Sequence, residues 1–337
     1  MAKRLAVINI AIIALVMLVI LLQTPQIATG NALISATQTP TITPTPYYLK
    51  YTYSPCKNRV DVPESEMNWL YVPESASELA TSVNYAFLAG QLIKIGAVDA
   101  ATCPAGGVGL DGYANACGLS RAKPLVLEIQ NMYDQPIMDA WEKVGVPPVM
   151  LKQLLRYESQ FWPGPWGDLH FGAGHLTYYG AHTGLSWRPG LRAEICQLTG
   201  TCNLTMVTDP EIIALLSMMD ATCPTCVNKI DMEKAKRSVY YLAEVLLGHC
   251  YQTSQVVFNA THISSGAVVD YATIWRLTLF DYNAGPNCVY TAVKGAYDQN
   301  PGAMTWTDIK RYITDPQCQR GAMYVYQVTE KFYAFPP

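Results

Sequence analysis

The sequence predicts a mainly α-helical fold behind an N-terminal apolar segment and a linker. From about Leu110 onward, apolar residues recur at helical spacing, Gly and Pro separate these stretches, and strand-like alternation is scarce. The 337 residues are 50% hydrophobic and only 15% charged, values typical of a folded chain with a sizeable core. The net charge of -3 and the absence of a basic run beyond the N-terminus argue against a nucleic-acid partner.

The first 22 residues form the predicted membrane segment. Lys3 and Arg4 precede an apolar run from Leu5 to Leu22 in which Asn9 is the only polar residue. Positive flanks stay on the cytoplasmic side, so the rest of the chain is expected outside the cytoplasm. The run is short for a membrane span and long for a signal-peptide core, which leaves a retained anchor and a cleaved signal both open. We favour the anchor.

Residues 23–47 and 48–107 are predicted to connect this segment to the main domain. Thr and Pro alternate between Thr37 and Pro46, a composition that favours an extended spacer. The next segment predicts one helix at about 77–94, ending near Gly96. A single apolar helix is too little to fold alone, so we interpret 48–107 as an extension packed on a domain at 108–337.

The ten Cys residues predict structural disulfides, because an even number in an exported chain is typical of an oxidising compartment. Their pairing does not follow from the sequence. Three pairs lie close together along the chain: Cys103 and Cys117, Cys196 and Cys202, and Cys223 and Cys226. The last pair also matches a redox motif, but such a site requires a strand followed by a helix, which the sequence does not indicate there.

Within the main domain, helical stretches alternate with Gly and Pro. Two antiparallel helices are predicted to start near Gln135 and Pro147 and to be joined at Gly145. Further helices are predicted at about 209–220, 231–248, 268–283, 308–313 and 320–332.

Glu158 is the unusual residue of the helix that starts near Pro147. Leu151, Leu154, Leu155 and Phe161 fall on one stripe at helical spacing, and Glu158 lies at its centre. Apolar surroundings favour the protonated form of a carboxyl group, which suits a general acid. Pairing with a buried Arg is the alternative. An aromatic and Pro-Gly loop follows at 161–167, which either offers flat faces to sugar rings or caps the core.

Three blocks of sequence then occur in order: Glu-Ser-Gln-Phe at 158–161, Gly-Ala-Gly-His-Leu-Thr at 172–177, and Asp-Tyr-Asn-Ala-Gly-Pro at 281–286. Their order and spacing resemble the three motifs of the lytic transglycosylases, over about residues 125–293. The third block is the most distinctive, because it closes a helix with Gly and Pro while presenting Tyr282 and Asn283 at its end.

The resemblance implies a lysozyme-like helical domain that cleaves the MurNAc–GlcNAc bond of peptidoglycan and forms a 1,6-anhydro product. Glu158 would be the single general acid and base, and neither a metal nor an organic cofactor is required. The expected partners are peptidoglycan glycan strands and, through the N-terminal segment, a membrane. The expected substrate-binding residues are Ser159, Gly174, His175, Thr177, Tyr282 and Asn283.

The chain departs from the family pattern at two places. His175, Leu176 and Thr177 stand where the family has Leu-Met-Gln, and Asp281 stands where it has Ala. Thr177 is expected to keep a hydrogen bond to an acetamido sugar at shorter reach. His175 is expected to add a titrating group near Glu158.

Three other functions remain open. A hydrolytic muramidase would need a second carboxylate, for which Asp168 is the nearest candidate. A zinc site would use the imidazoles of His170, His175 and His182, although their spacing matches no ligand pattern. A wall-binding scaffold would keep the fold without efficient turnover. The sequence indicates neither the oligomeric state nor the cellular role.

Overall fold

Helices make up most of the chain that can be described, which confirms the predicted mainly α class. The computed structural model describes Cys56, residues 68–200 and residues 206–330. The predicted membrane segment (1–22) and linker (23–47) lie outside these residues. No helix among the described residues is long and apolar enough to cross a membrane. Isolated β-bridges are the only extended pairing in this part of the chain.

The helices are numbered in chain order. Their bounds are α1 Ala86–Lys94, α2 Ala116–Asn131, α3 Asp134–Val144, α4 Pro148–Ser159, α5 Tyr178–Trp187, α6 Pro189–Thr199, α7 Asp209–Met219, α8 Met232–Thr261, α9 Ser265–Val268, α10 Tyr271–Ala284, α11 Pro286–Gln299, α12 Trp306–Lys310 and α13 Pro316–Thr329. Short 3-10 helices lie at Asn68–Leu70, Ala76–Leu79 and Pro104–Gly107.

Helix α8, with 30 residues, is the centre of the domain. Helices α3, α5, α7, α10 and α11 all pack against it, and its inward residues are almost fully buried. The prediction that this helix ends at Gly248 is wrong. Gly248 serves packing instead, since a Cβ there would approach the Cα of Gly184 on α5 to 3.0 Å. Glycine at this crossing lets the two backbones come close.

The predicted continuous helix at 77–94 is also wrong. The chain forms the short 3-10 helix Ala76–Leu79, runs extended, and then begins α1 at Ala86. Thr81 interrupts the helix because tertiary contacts take its backbone: its N–H donates to Asn131 Oδ1 at 2.9 Å, and its carbonyl accepts from Gln130 Nε2 at 2.8 Å. Both partners lie on α2.

The antiparallel pair α3 and α4 agrees with the prediction, and the observed starts lie close to those expected. Gly145 caps α3 in the left-handed conformation with φ of 90°. Such a turn favours glycine, because a Cβ is disfavoured there. Helix α4 packs on α3, α13 and the 3-10 helix Asn68–Leu70. Helices α2, α5, α6 and α11 were not predicted individually.

The extension before residue 108 packs on the rest of the domain. Helix α1 packs on α2, and the disulfide Cys56–Cys250 joins the extension to α8. The described residues, Cys56, 68–200 and 206–330, belong to one compact unit. The domain boundary at residue 107 stays a prediction.

The predicted structural disulfides are confirmed. Among the described residues, the remaining bonds join Cys103 to Cys117, Cys223 to Cys226 and Cys288 to Cys318. Cys196 is also disulfide-bonded, and no described cysteine is free. Cys202 lies outside the described residues.

Candidate functional site

Glu158 occupies the last turn of α4, where the chain changes direction sharply. Gln160 and Phe161 both adopt left-handed conformations, with φ of 49° and 70°. The Gln160 side chain accepts a hydrogen bond from the Phe87 backbone N–H at 2.8 Å, which fixes this turn against α1. The Leu side chains of the stripe are fully buried, whereas 15% of the Glu158 side chain is exposed. Glu158 therefore lies where the apolar stripe opens to solvent.

The glycine-rich block at 172–177 forms a tight turn beside this carboxylate. Phe171 and Leu176 bridge its base with two backbone hydrogen bonds of 3.0 Å. Gly172 has φ of 68°, and a Cβ there would lie 2.5 Å from the Met219 carbonyl oxygen, so this position requires glycine. His175 is also left-handed, with φ of 50°. The turn thus places a buried imidazole next to Glu158.

Side chains from the other two blocks hold this turn by its backbone. Ser159 Oγ donates to the Ala173 carbonyl at 2.7 Å. Tyr282 Oη donates to the Gly174 carbonyl, also at 2.7 Å. The three blocks, of which the third lies more than 100 residues after the others, therefore meet at one place in the fold.

Two buried or half-buried hydroxyls accompany the carboxylate of Glu158. Burial first, and the nearby Glu158 carboxylate second, raise the pKa of Tyr282 well above its usual value. The same two causes, in the same order, raise the pKa of Tyr324. The buried Tyr324 hydroxyl has no hydrogen-bond partner of ordinary geometry, although it lies close enough to interact with Glu158. Both phenols therefore stay protonated over the physiological pH range and remain hydrogen-bond donors.

His175 lies between Glu158 and the aromatic loop. Its Nδ1 is 3.6 Å from Glu158 Oε2, longer than a hydrogen bond, and its buried Nε2 has no partner. Trp166 stacks on the imidazole with ring centroids 4.9 Å apart. Trp166 itself is 52% exposed. The loop thus presents an open aromatic surface directly beside the acid.

A buried polar pair, Asp281 and His249, packs against Tyr282 of the third block. Asp281 Oδ2 lies 2.8 Å from His249 Nδ1, and both side chains are almost completely buried. The His249 ring meets the Tyr282 ring edge to face at 5.2 Å. The second Asp281 oxygen and His249 Nε2 have no partner. Asp281 therefore fixes His249, which in turn packs on Tyr282.

The remaining predicted residues lie at the edge of the site or away from it. Thr177 caps α5, and its Oγ1 accepts from the Gly180 N–H at 3.1 Å. Asn283 is exposed. Asp168 is exposed at the tip of the turn that Trp166 and His170 bridge.

The three histidines of the alternative zinc site do not come together as a ligand set. His170 and His175 have ring centroids 5.7 Å apart, and His182 is exposed on α5. Within residues 68–200 and 206–330, together with Cys56, no group of three or more His, Cys, Asp or Glu side chains has a metal-binding arrangement.

Cys223 and Cys226 lie in the loop between α7 and α8. The Cys226 N–H donates to the Cys223 carbonyl at 3.0 Å, which closes a turn inside the disulfide. This described loop connects two helices, so the strand that a thioredoxin-like site requires before its helix is not present here.

Tyr324 is the neighbour of Glu158 that the sequence did not reveal. It lies on α13 with Gly321, Val325 and Val328, which form the buried face of that helix. A hydroxyl on an otherwise apolar stripe is the same signal that singled out Glu158.

No protein-family model, curated protein or solved structure matches the chain, so the family resemblance depends on the three sequence blocks.

Proposed function

We propose that the protein is an extracytoplasmic lytic transglycosylase with a lysozyme-like domain, tethered to the membrane by residues 1–22. Glu158 acts as its single general acid and base on peptidoglycan. The observation that carries the proposal is the pair of hydrogen bonds from Ser159 and Tyr282 to the carbonyls of Ala173 and Gly174. They assemble the three family-like blocks around one half-buried carboxyl group.

One carboxyl group suffices for the reaction. Protonated Glu158 gives its proton to the glycosidic oxygen as the bond between that oxygen and MurNAc C1 breaks. The resulting carboxylate then accepts the proton of the MurNAc C6 hydroxyl as this oxygen bonds to C1. The proton count closes, Glu158 returns to its acid form, and no water is consumed.

The surroundings of Glu158 suit both steps. The buried His175 ring lies beside Glu158 on one side, and the buried Tyr324 hydroxyl provides a donor for the carboxylate formed after the first step. Tyr282 keeps the glycine-rich turn in place through Gly174. The disulfides support an oxidising compartment, where peptidoglycan is found.

The test is digestion of purified peptidoglycan, with the products identified by mass spectrometry. We expect 1,6-anhydro muropeptides from the unmodified chain. Glu158→Gln keeps the shape of the side chain but cannot transfer the proton, so we expect the rate to fall about 10³-fold. Glu128→Gln is the matched control, because Glu128 is an exposed acid on α2.

Other outcomes would each reject the proposal. Equal rates for Glu158→Gln and the unmodified chain would remove Glu158 from the chemistry. Reducing products alone, with loss of activity in Asp168→Asn, would indicate a hydrolytic muramidase. Wall binding without cleavage by the unmodified chain would indicate a scaffold protein.

A further inference from the structure

We propose that an aromatic row formed by His175, Trp166, Phe87 and Tyr113 binds the glycan strand beyond the bond that Glu158 cleaves. The ligand class is an N-acetylated β-linked glycan, and the far end of its site is supplied by Tyr113 in the loop before α2. This inference rests on the proposed function, since it extends the same site.

The aromatic row is continuous from the acid outward. His175 lies 3.6 Å from Glu158, and its ring stacks on Trp166 at 4.9 Å. Trp166 meets Phe87 edge to face at 6.1 Å, and Phe87 meets Tyr113 at 5.6 Å. All three ring contacts fall within the range of favourable aromatic pairs. The ring contacts therefore hold the exposed rings of the row, Trp166 and Tyr113, in fixed positions relative to Glu158.

Exposure divides the aromatic row into two platforms. Trp166 is 52% exposed and Tyr113 is 42% exposed, whereas Phe87 between them is only 9% exposed. Phe87 supports its two neighbours from inside the core. Large exposed aromatic side chains suit sugar binding, because the C–H groups of a pyranose ring carry partial positive charge that the face of an aromatic ring attracts.

The loop that carries Tyr113 is fixed in place. Tyr113 closes its base, where the Gly109 N–H donates to the Tyr113 carbonyl at 2.8 Å. The next residue, Ala114, donates its N–H to the Ala86 carbonyl of α1 at 2.9 Å. A Cβ on Gly90 of α1 would lie 2.3 Å from the Gly112 carbonyl oxygen, so helix and loop pack closely. A preformed platform binds with little loss of conformational entropy.

The turn after α4 connects this platform to the acid. The Gln160 side chain accepts from the Phe87 N–H, and Gln160 directly caps the helix that presents Glu158. The position of Tyr113 relative to Glu158 is therefore set by α1 and a hydrogen bond. This gives α1 and the loop that follows it, up to Ala114, a role in recognition of a polymeric substrate.

The test measures binding in the full chain carrying Glu158→Gln, purified in detergent, so that ligands are not consumed. The probes are peptide-free MurNAc–GlcNAc strands of one repeat and of four or more repeats. We expect Tyr113→Ala to weaken binding of the long strand about tenfold and to leave the single repeat unchanged. Tyr113→Phe keeps the ring and should restore the affinity.

Tyr290→Ala is the matched control, because Tyr290 is 41% exposed on α11, which packs on α8, α10 and α12. It should change neither affinity. Equal affinities of the parent and Tyr113→Ala for the long strand would overturn the proposal, as would an equal loss for both strand lengths. If Tyr113→Ala weakened binding of the long strand but the chain with Glu158 intact never cleaved it, the proposed function would be rejected. The aromatic row would then remain a glycan-binding site.

Discussion

Helix α4 carries Lys152 and Glu158, two ionisable side chains whose surroundings differ. Lys152 is 1% exposed, and its ammonium donates to the Gln130 carbonyl at 2.5 Å and to the Asp134 carboxylate. Glu158 is 15% exposed, lies 3.6 Å from the nearest imidazole nitrogen, and meets Tyr324 without ordinary hydrogen-bond geometry. One charge has its partners in place, and the other does not.

Lys152 therefore has the surroundings of a charge that stabilises the fold, whereas Glu158 has those of a charge that can act on a ligand. Burial lowers the pKa of Lys152 and raises that of Asp134, while the attraction between the two opposes both shifts. A buried pair with this geometry fixes α3 against α4 and has no path to a ligand. Glu158 is partly exposed and has no close ion pair, so its carboxyl group remains accessible to a ligand, as a proton donor and acceptor requires.

Breaking the buried pair should give the largest effect. Lys152→Met keeps most of the volume but leaves Asp134 and the Gln130 carbonyl without their partner. We expect the free energy of unfolding to fall by about 3–5 kcal/mol, measured by urea denaturation with disulfides intact. The double variant Lys152→Met with Asp134→Leu should recover most of this loss. A cost below about 1 kcal/mol for the single variant would contradict the structural role of the pair.

The sequence predicted the fold class and the elements whose signals are local. Helix α4 and the turn at Gly145 follow from an apolar stripe, Pro and Gly. The end of α8 was missed because Gly248 stands at a helix crossing, where the reason for glycine is a neighbour far along the chain. Thr81 likewise interrupts a predicted helix through hydrogen bonds to α2. Long-range contacts of this kind leave no local pattern.

The candidate site shows the same division between local sequence signals and long-range contacts. The family-like blocks contain Glu158, Ser159, Gly174, His175 and Tyr282, which the structure places together. Tyr324 comes from α13, whose packing on α4 no spacing reveals. Thr177 caps the N-terminus of α5. This role was missed because the sequence did not predict that helix. The catalytic function assigned to these residues stays a prediction.

Replacing His175 should have an intermediate effect, on the catalytic rate. Its ring lies beside Glu158 and stands where the family pattern has Leu. His175→Asn keeps a residue that tolerates the left-handed backbone and removes the ring beside Glu158. Losing this contact and the stack on Trp166 should cost about 1 kcal/mol in the transition state, or about fivefold in kcat.

The expected result is a lower kcat on peptidoglycan fragments, and His182→Asn, at an exposed position on α5, is the control. A loss as large as that of Glu158→Gln would show that His175 takes part in proton transfer itself. An unchanged kcat would show that the imidazole only fills space beside Trp166.

The smallest effect should be that of Glu158→Gln on stability. Glutamine has the same shape, and Glu158 has no close ion pair or ordinary hydrogen bond to lose, so we expect the free energy of unfolding to change by less than about 0.5 kcal/mol. Urea denaturation of Glu158→Gln and Lys152→Met side by side measures the contrast directly. If Glu158→Gln were as destabilising as Lys152→Met, both Lys152 and Glu158 would be structural, and a loss of activity in Glu158→Gln would no longer identify Glu158 as the catalytic acid.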